Sequence, residues 1–377
     1  MTRRIVYLTG TRADFGLMLP TLRHAAATPG LAVSVAVTGQ HLSTGHGHTV
    51  EEVRASGLPV CAELPLDMHT RTGASMATGI ADCLRGVTTL LERERPDLLL
   101  VLGDRGEMLA GAIAALHVGI PCVHLHGGER SGTVDEPVRH AISKLSTYHL
   151  VATADARDRL LRMGEAPDRI HVVGAPGLDG IESLAEADRA AALRELDLPV
   201  DSRFVLALFH PVVQQAQAAA AQTQALLQAL ARIGLPVLWL DPNADAGSRA
   251  ILAALDAGAL PAGSRRAVHL ERAAFVTAMR HCDVMVGNSS AGIIEAASFG
   301  TPVVNVGERQ RLRQHGPNVA DVPAEPAAIE AALRQQLNHG RWPWDNPWGD
   351  GKAATRIAAL LASLPLGAQV LEKTNTD

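Results

Sequence analysis

Short runs of β-branched and leucine-rich residues alternate with longer helical patterns along the chain. RIVYLTG, LAVSVAVTG, PDLLLVLGD, PCVHLHGG, YHLVAT and RIHVVGAPG form one series. FVLALFHPV, LPVLWLDPN, RAVHLE, VMVGNSS and PVVNVG form a second, after a helical, charged stretch near residues 183–197. Runs that are apolar at nearly every position suit strands covered on both faces, and their alternation with helices implies parallel sheets with crossover connections. The pattern therefore predicts an α/β chain of two doubly wound, Rossmann-like domains, residues 1–180 and 181–351. The Pro/Trp/Gly-rich stretch WPWDNPWGDG, 342–351, interrupts the pattern before a final helix at about 352–364. The terminal TNTD is expected to be disordered.

Composition agrees with two domains, since 377 residues exceed the roughly 250–300 at which one hydrophobic core stops growing. Hydrophobic residues make up 47%, but no charge-free apolar run reaches the length of about 18 residues that a membrane span needs. MTRRIVYLTG passes straight into a strand without the apolar core of a signal peptide, so the cytoplasm is the expected compartment. Cys61, Cys83, Cys122 and Cys282 have no metal-type spacing and sit in apolar stretches, as buried thiols do. A net charge of −5 without a basic stripe argues against a nucleic-acid or anionic-membrane surface and favours a small-molecule partner.

In open α/β sheets, ligands bind beyond the carboxyl ends of strands, which makes the residues just after each run the informative ones. GNSSAGIIEA follows a strand and opens a helix, so the backbone and the hydroxyls of Ser289 and Ser290 suit a diphosphate; an ordinary N-cap fits equally. Glu295, about one turn on, could accept from ribose hydroxyls or stand in solvent. Arg12 in GTRADFG, Arg105 in GDRGE and Arg309 in GERQ add three strand-end guanidiniums, with Asp14 either anchoring Arg12 or starting a turn. Neither GxGxxG nor a Walker A sequence occurs, and GNSSAG is not GxSxG. Asp104, Glu129 and Asp135 form a carboxylate cluster suited to acid–base work, although Asp135 could be no more than the N-cap of EPVRHAI. His126 and His210 are either proton carriers or buried structural histidines. Arg139 and His140 read as supporting ion-pair residues. His41, His46 and His48 read as a polar loop rather than a metal site.

Together RADFG, GDRxEML, HGGExSGTVDExxRHAIxKLS, GAPGLD, HPV, GNSSAGIIEA and GTPVVNVGxRQ, in this order over residues 12–310, resemble the hydrolysing UDP-N-acetylglucosamine 2-epimerases. The resemblance implies a GT-B fold with the active site in the interdomain cleft, a homodimer or homotetramer, and a final helix that packs back on the first domain. It implies elimination of UDP with loss of the C2 proton to give a 2-acetamidoglucal. Water then adds to release N-acetylmannosamine, with no metal or nicotinamide cofactor. By the same pattern Asp104 and Asp135 are catalytic acid/base residues, with Glu129 beside them. Arg12, Arg105, His210, Asn243, Ser289, Ser290, Glu295 and Arg309 fall where the family holds UDP. Three positions depart from it. His126 stands where the non-hydrolysing relatives carry glutamate, which brings an imidazole into the proton inventory. HPVVQ replaces an HPE-type loop, and Leu312 replaces a glycine after RQ. Close relatives use UDP-2,4-diacetamido-2,4,6-trideoxyglucose, and no residue separates the two substrates. A non-hydrolysing epimerase, a GT-B glycosyltransferase and a sugar-nucleotide sensor are the competing readings.

Overall fold

The computed structural model describes residues 2–43, 48–67, 72–343 and 345–376. Among them, β1 (Arg3–Thr9), β2 (Leu31–Thr38), β3 (Val60–Leu64), β4 (Leu98–Leu102), β5 (Cys122–Leu125), β6 (Tyr148–Val151) and β7 (Ile170–Val172) build one parallel sheet, ordered β3-β2-β1-β4-β5-β6-β7. A second parallel sheet holds β8 (Val205–Leu208), β9 (Val237–Leu240), β10 (Arg265–Ala267), β11 (Val284–Gly287), β12 (Val303–Val306) and β13 (Val319–Val322), ordered β10-β9-β8-β11-β12-β13. The chain divides into two compact units, one of residues 1–129, 134–179 and 348–377, the other of 130–133 and 180–347.

Alternation within the apolar runs explains the layering of the first unit. Ile5 and Tyr7 of β1, with Leu98, Leu100 and Leu102 of β4, point to one hydrophobic cluster. Val6 and Leu8, with Leu99 and Val101, point to another. Both faces are thus covered, as continuous apolar runs require. In the second unit Val205, Ala207 and Phe209 share a cluster with Val237 and Trp239. β3 and β13 carry no such run. Each is an edge strand, VCAEL and VADV, with Glu63 and Asp321 among its residues and incomplete burial, so neither announces itself in the sequence.

The last helix, Ala353–Ser363, belongs to the first unit and buries Ala353, Ile357, Ala358 and Leu361 against the Ile5/Tyr7 cluster. Asp179 accepts from the backbone N–H of Ala353 (2.9 Å) and of Ala354, while Arg3 donates to the carbonyls of Leu361 (3.0 Å) and Leu364 (2.7 Å). Both ends of the helix are therefore satisfied by residues about 175 or more positions away in sequence. The tail beyond it is ordered up to Thr376, contrary to expectation: Asn375 accepts from Lys144 (2.6 Å) and the Thr376 N–H donates to Gly164 O (3.0 Å). No described helix is long and apolar enough to cross a membrane.

In each sheet the strand order reverses once, between β1 and β4 in the first and between β8 and β11 in the second. These reversals splay neighbouring crossover connections apart, and the loops beyond the carboxyl ends of those strands are the ligand-binding positions of open α/β sheets.

Candidate functional site

In the first unit, Gly103 follows β4 with φ +81, a left-handed conformation that turns the chain sharply and presents Asp104. The Asp104 carboxylate is paired with Arg139, whose side chain is 1% exposed and comes from the helix Asp135–Leu145. The same guanidinium donates to the carbonyl of Glu129 at 3.1 Å. A buried guanidinium needs such partners, and here it ties together the loops after β4 and β5. The supporting role expected of Arg139 is what the structure shows. Asp135 is the first helical residue and lies one turn before Arg139; the cap position is Val134, which makes no side-chain cap. Asp135 as an N-cap is therefore excluded, because the helix starts at Asp135 itself, one residue earlier than a cap there would require. Glu136 lies 3.7 Å from His140, whose pKa burial pushes below its usual value.

His126 leaves β5 with φ +60, a conformation that costs a non-glycine residue about 1 kcal/mol. Two contacts hold it there: Nδ1 meets the carboxylate of the buried Glu129, and the ring stacks on Trp348 at 6.4 Å between centroids and 30° between planes. With Glu129 ionised, Nδ1–H donates to it, leaving Nε2 as the nitrogen able to exchange a proton.

Arg12 opens the helix Arg12–Ala26, capped by Thr11 in a capping box with Asp14. Asp14 accepts from the N–H groups of Gly10 (3.1 Å) and Thr11 (2.8 Å) and from the Tyr7 hydroxyl (3.2 Å). It is the capping-box partner of Thr11 and does not anchor Arg12. That anchor is Glu52, 2.7 Å from the Arg12 Nε, and Arg12 Nη1 is buried without a hydrogen-bond partner. Such a group is costly unless a further acceptor is met. Arg105 caps the helix Gly106–Val118 with its backbone and lies 3.5 Å from Glu107. His41 is fully buried between the hydroxyls of Thr9 (3.0 Å) and Thr49 (2.8 Å), and burial pushes its pKa down; His46 lies outside the described residues.

In the second unit one residue that sequence reasoning passed over organises the rest. Asn288, next after β11 and 1% exposed, accepts from the His210 N–H (2.7 Å) and donates to the His210 carbonyl (2.8 Å). Its own carbonyl accepts from Arg309 at 3.0 Å and Gln310 at 3.4 Å. The loops after β8, β11 and β12 thus meet on one residue, the first through its side-chain amide and the last through its backbone carbonyl. An asparagine at a strand end, between a left-handed glycine and two serines, was the available signal. His210 Nδ1 accepts from the Asn243 N–H (3.2 Å), which places the proton of a neutral ring on Nε2. The Asn243 side chain donates to Asp245 at 2.5 Å within its own loop.

Ser289 caps the next helix through Ala291, at 3.4 Å, and that helix is short, Ser290–Ile294, before a 3₁₀ turn at Ala296–Phe299. A single turn adds little dipole, so attraction for an anion there rests on its N–H groups and hydroxyls. Glu295 is 5% exposed and paired with Arg272, which excludes the solvated reading.

Burial pushes the thiols of Cys83 and Cys282 up to about 12 and that of Cys122 to about 11, which makes them inert as nucleophiles. Among the described residues, no group of three or more His, Cys, Asp or Glu could hold a metal ion.

Comparison with known proteins places this geometry in context. The family described as UDP-N-acetylglucosamine 2-epimerase matches residues 23–362. The chain is 46% identical over 375 residues, covering 100% of both chains, to the UDP-N,N'-diacetylbacillosamine 2-epimerase (hydrolyzing) of Legionella pneumophila. It is 34% identical to a UDP-N-acetylglucosamine 2-epimerase of Neisseria meningitidis serogroup B, covering 94% of this chain and 92% of that one. The fold is that of the crystal structure of UDP-GlcNAc 2-epimerase from Neisseria meningitidis bound to UDP-GlcNAc, with a TM-score of 0.78, 19% identity, and 95% and 99% of the two chains covered. With the family pattern spanning most of its length and a relative matched from end to end, the chain belongs to the UDP-N-acetylglucosamine 2-epimerase family.

Proposed function

We propose that the protein is a hydrolysing 2-epimerase of UDP-2-acetamido sugars, and that UDP-N,N'-diacetylbacillosamine, the 2,4-diacetamido-2,4,6-trideoxyglucose nucleotide, is its preferred substrate. The observation that carries the chemistry is the Asp104 carboxylate held by the buried Arg139 beside the His126–Glu129 pair. Such a set of fixed groups can both take up and deliver protons. The substrate preference is supported by the 46% identity to the Legionella protein against 34% to the Neisseria one.

The reaction breaks the C2–H bond and the bond from C1 to the diphosphate oxygen, forms the C1–C2 double bond of a glycal, and releases UDP. Hydration then places hydroxide on C1 and a proton on C2 from the face opposite to the one deprotonated, so the free sugar has the manno configuration. Elimination needs a base at C2 and cationic or hydrogen-bonding groups on the leaving diphosphate. Asp104, Asp135 and His126 with Glu129 are the proton-handling residues. By the family pattern Arg12, with its unpartnered Nη1, Arg105, His210, Asn243, Ser289, Ser290 and Arg309 are the donors to UDP, and Glu295 is the acceptor for its ribose.

The second reading keeps the mechanism and changes the sugar to UDP-N-acetylglucosamine, as the Neisseria relative's name suggests. Parallel assays of UDP release from both nucleotides decide between them. A kcat/KM at least about ten-fold higher on the diacetamido sugar, equivalent to about 1.4 kcal/mol, is expected. The reverse order favours N-acetylglucosamine. UDP-N-acetylmannosamine accumulating without free UDP would identify a non-hydrolysing epimerase, and UDP release only with an added acceptor would identify a glycosyltransferase.

A further inference from the structure

His124 lies two residues before His126, in β5, and no part of the mechanism above uses it. Its side chain is fully buried. Nε2 is 2.7 Å from the carbonyl of Gly103, the residue before Asp104. Nδ1 is 3.0 Å from the hydroxyl of Ser143, one turn beyond Arg139 on the helix Asp135–Leu145. A single imidazole therefore spans the two backbone segments that carry the partners of the Asp104–Arg139 pair. We propose that His124, acting through the Gly103 carbonyl and Ser143, is a positioning residue that sets the Asp104 carboxylate against Arg139.

The protonation pattern is fixed by its neighbours. A carbonyl oxygen can only accept, so Nε2 carries the hydrogen. Burial holds the ring neutral, its pKa pushed down to about 3, so Nδ1 is an acceptor. The Ser143 hydroxyl must then donate to Nδ1 and not to the Arg139 carbonyl, 3.1 Å away. The two bonds point in opposite directions from one rigid ring and leave it no alternative orientation.

Packing over the ring supports the same role. A Cβ at Gly127 would lie 2.8 Å from the Ser143 hydroxyl and 2.9 Å from His124 Nδ1. The turn that carries His126 and Glu129 therefore rests directly on the His124–Ser143 pair, and only glycine fits there. Arg139 closes the unit through its bond to the Glu129 carbonyl. A core histidine that merely filled space would not connect the three segments bearing Asp104, Arg139 and the His126 turn.

The inference rests on the proposed function for its kinetic readout but also has a structural one. His124→Gln extends a donor to the Nε2 position and can keep the Gly103 bond. His124→Asn reaches only the Nδ1 position and leaves the Gly103 carbonyl without its donor. His124→Gln is expected to keep kcat within about five-fold of wild type. His124→Asn is expected to lower it by about 100-fold, as misplacement by about 1 Å does, with KM for the UDP-sugar unchanged within about two-fold. Crystal structures should show the Asp104–Arg139 contact kept in the Gln variant and broken in the Asn variant. Wild-type kcat in His124→Asn, equal losses in both variants, or an intact Asp104–Arg139 contact in the Asn variant would overturn the proposal. Should His124→Asn fail to fold, Ser143→Ala carries the test: a fall in kcat at constant KM supports it, and an unchanged kcat overturns it. If wild-type protein releases UDP from neither nucleotide, the proposed function fails, while the crystallographic contact still decides the role of His124.

Discussion

Arg139 shows how much of a site depends on one side chain. Its guanidinium is buried at 1% exposure, a placement tolerated only because Asp104 and the Glu129 carbonyl meet it. Asp104→Asn keeps the shape of that contact and removes the charge. Turnover is expected to fall by at least about 100-fold while the affinity for UDP, measured by titration calorimetry, stays within two-fold, on the order of the loss for a positioned acid or base. Arg309→Ala should do the opposite. It removes a charged donor held on the Asn288 carbonyl, and the Kd for UDP is expected to rise about ten-fold, the loss of one charge-assisted hydrogen bond. Wild-type turnover in Asp104→Asn would remove Asp104 from the chemistry, and unchanged UDP affinity in Arg309→Ala would remove Arg309 from the nucleotide site. The place of Asp104 just after β4 was readable because the apolar run LLLVL marks where that strand ends. The pairing of Asp104 with Arg139, 35 residues later, was not, because it exists only once the helix Asp135–Leu145 packs beside the helix Gly106–Val118.

Central strands were legible, as were the edge strands β7 and β10, while the edge strands β3 and β13 were not. β4, LLLVL, is buried at every position, and a run of five apolar residues admits few readings. β3 and β13 face water on one side and carry polar residues, so hydrophobicity alone did not mark them. The ordered tail was equally hidden. Its anchor is Glu165, buried completely and contacted by His149 (2.8 Å), Lys144 (2.8 Å) and Lys373 (2.6 Å). Burial alone would push this carboxyl up, but the hydrogen bonds from His149 and the two lysines outweigh it and hold the pKa at about 2. A folded value below the ordinary 4.5 means that the contribution to stability is present in full above about pH 4.5 and is lost as the pH falls toward 2. Glu165→Gln should therefore lower the unfolding free energy at pH 7 by about 3 kcal/mol, the cost of breaking a buried ion pair. Urea denaturation should show the gap narrowing below about pH 4.5. Equal stability of the two proteins at pH 7 would show that the tail does not depend on this cluster.

Across the chain, two sheets of the same topological kind carry different chemistry. The loops past β1, β4 and β5 collect carboxylates, a histidine and arginines; those past β8, β11 and β12 collect a histidine, amides, hydroxyls and arginines, with Asn288 bonded to His210 and Arg309. A shared fold does not fix a reaction, and structures 19% identical speak only for the fold. The reaction is argued from the side chains, and its distinctive event is the making and breaking of a bond to hydrogen at C2. Incubation of the protein with UDP-N,N'-diacetylbacillosamine in deuterated water, followed by NMR, reads that event. Free manno-configured sugar with deuterium at C2, released together with UDP, is the expected result. Release of UDP with the C2 proton retained and the configuration unchanged would contradict it.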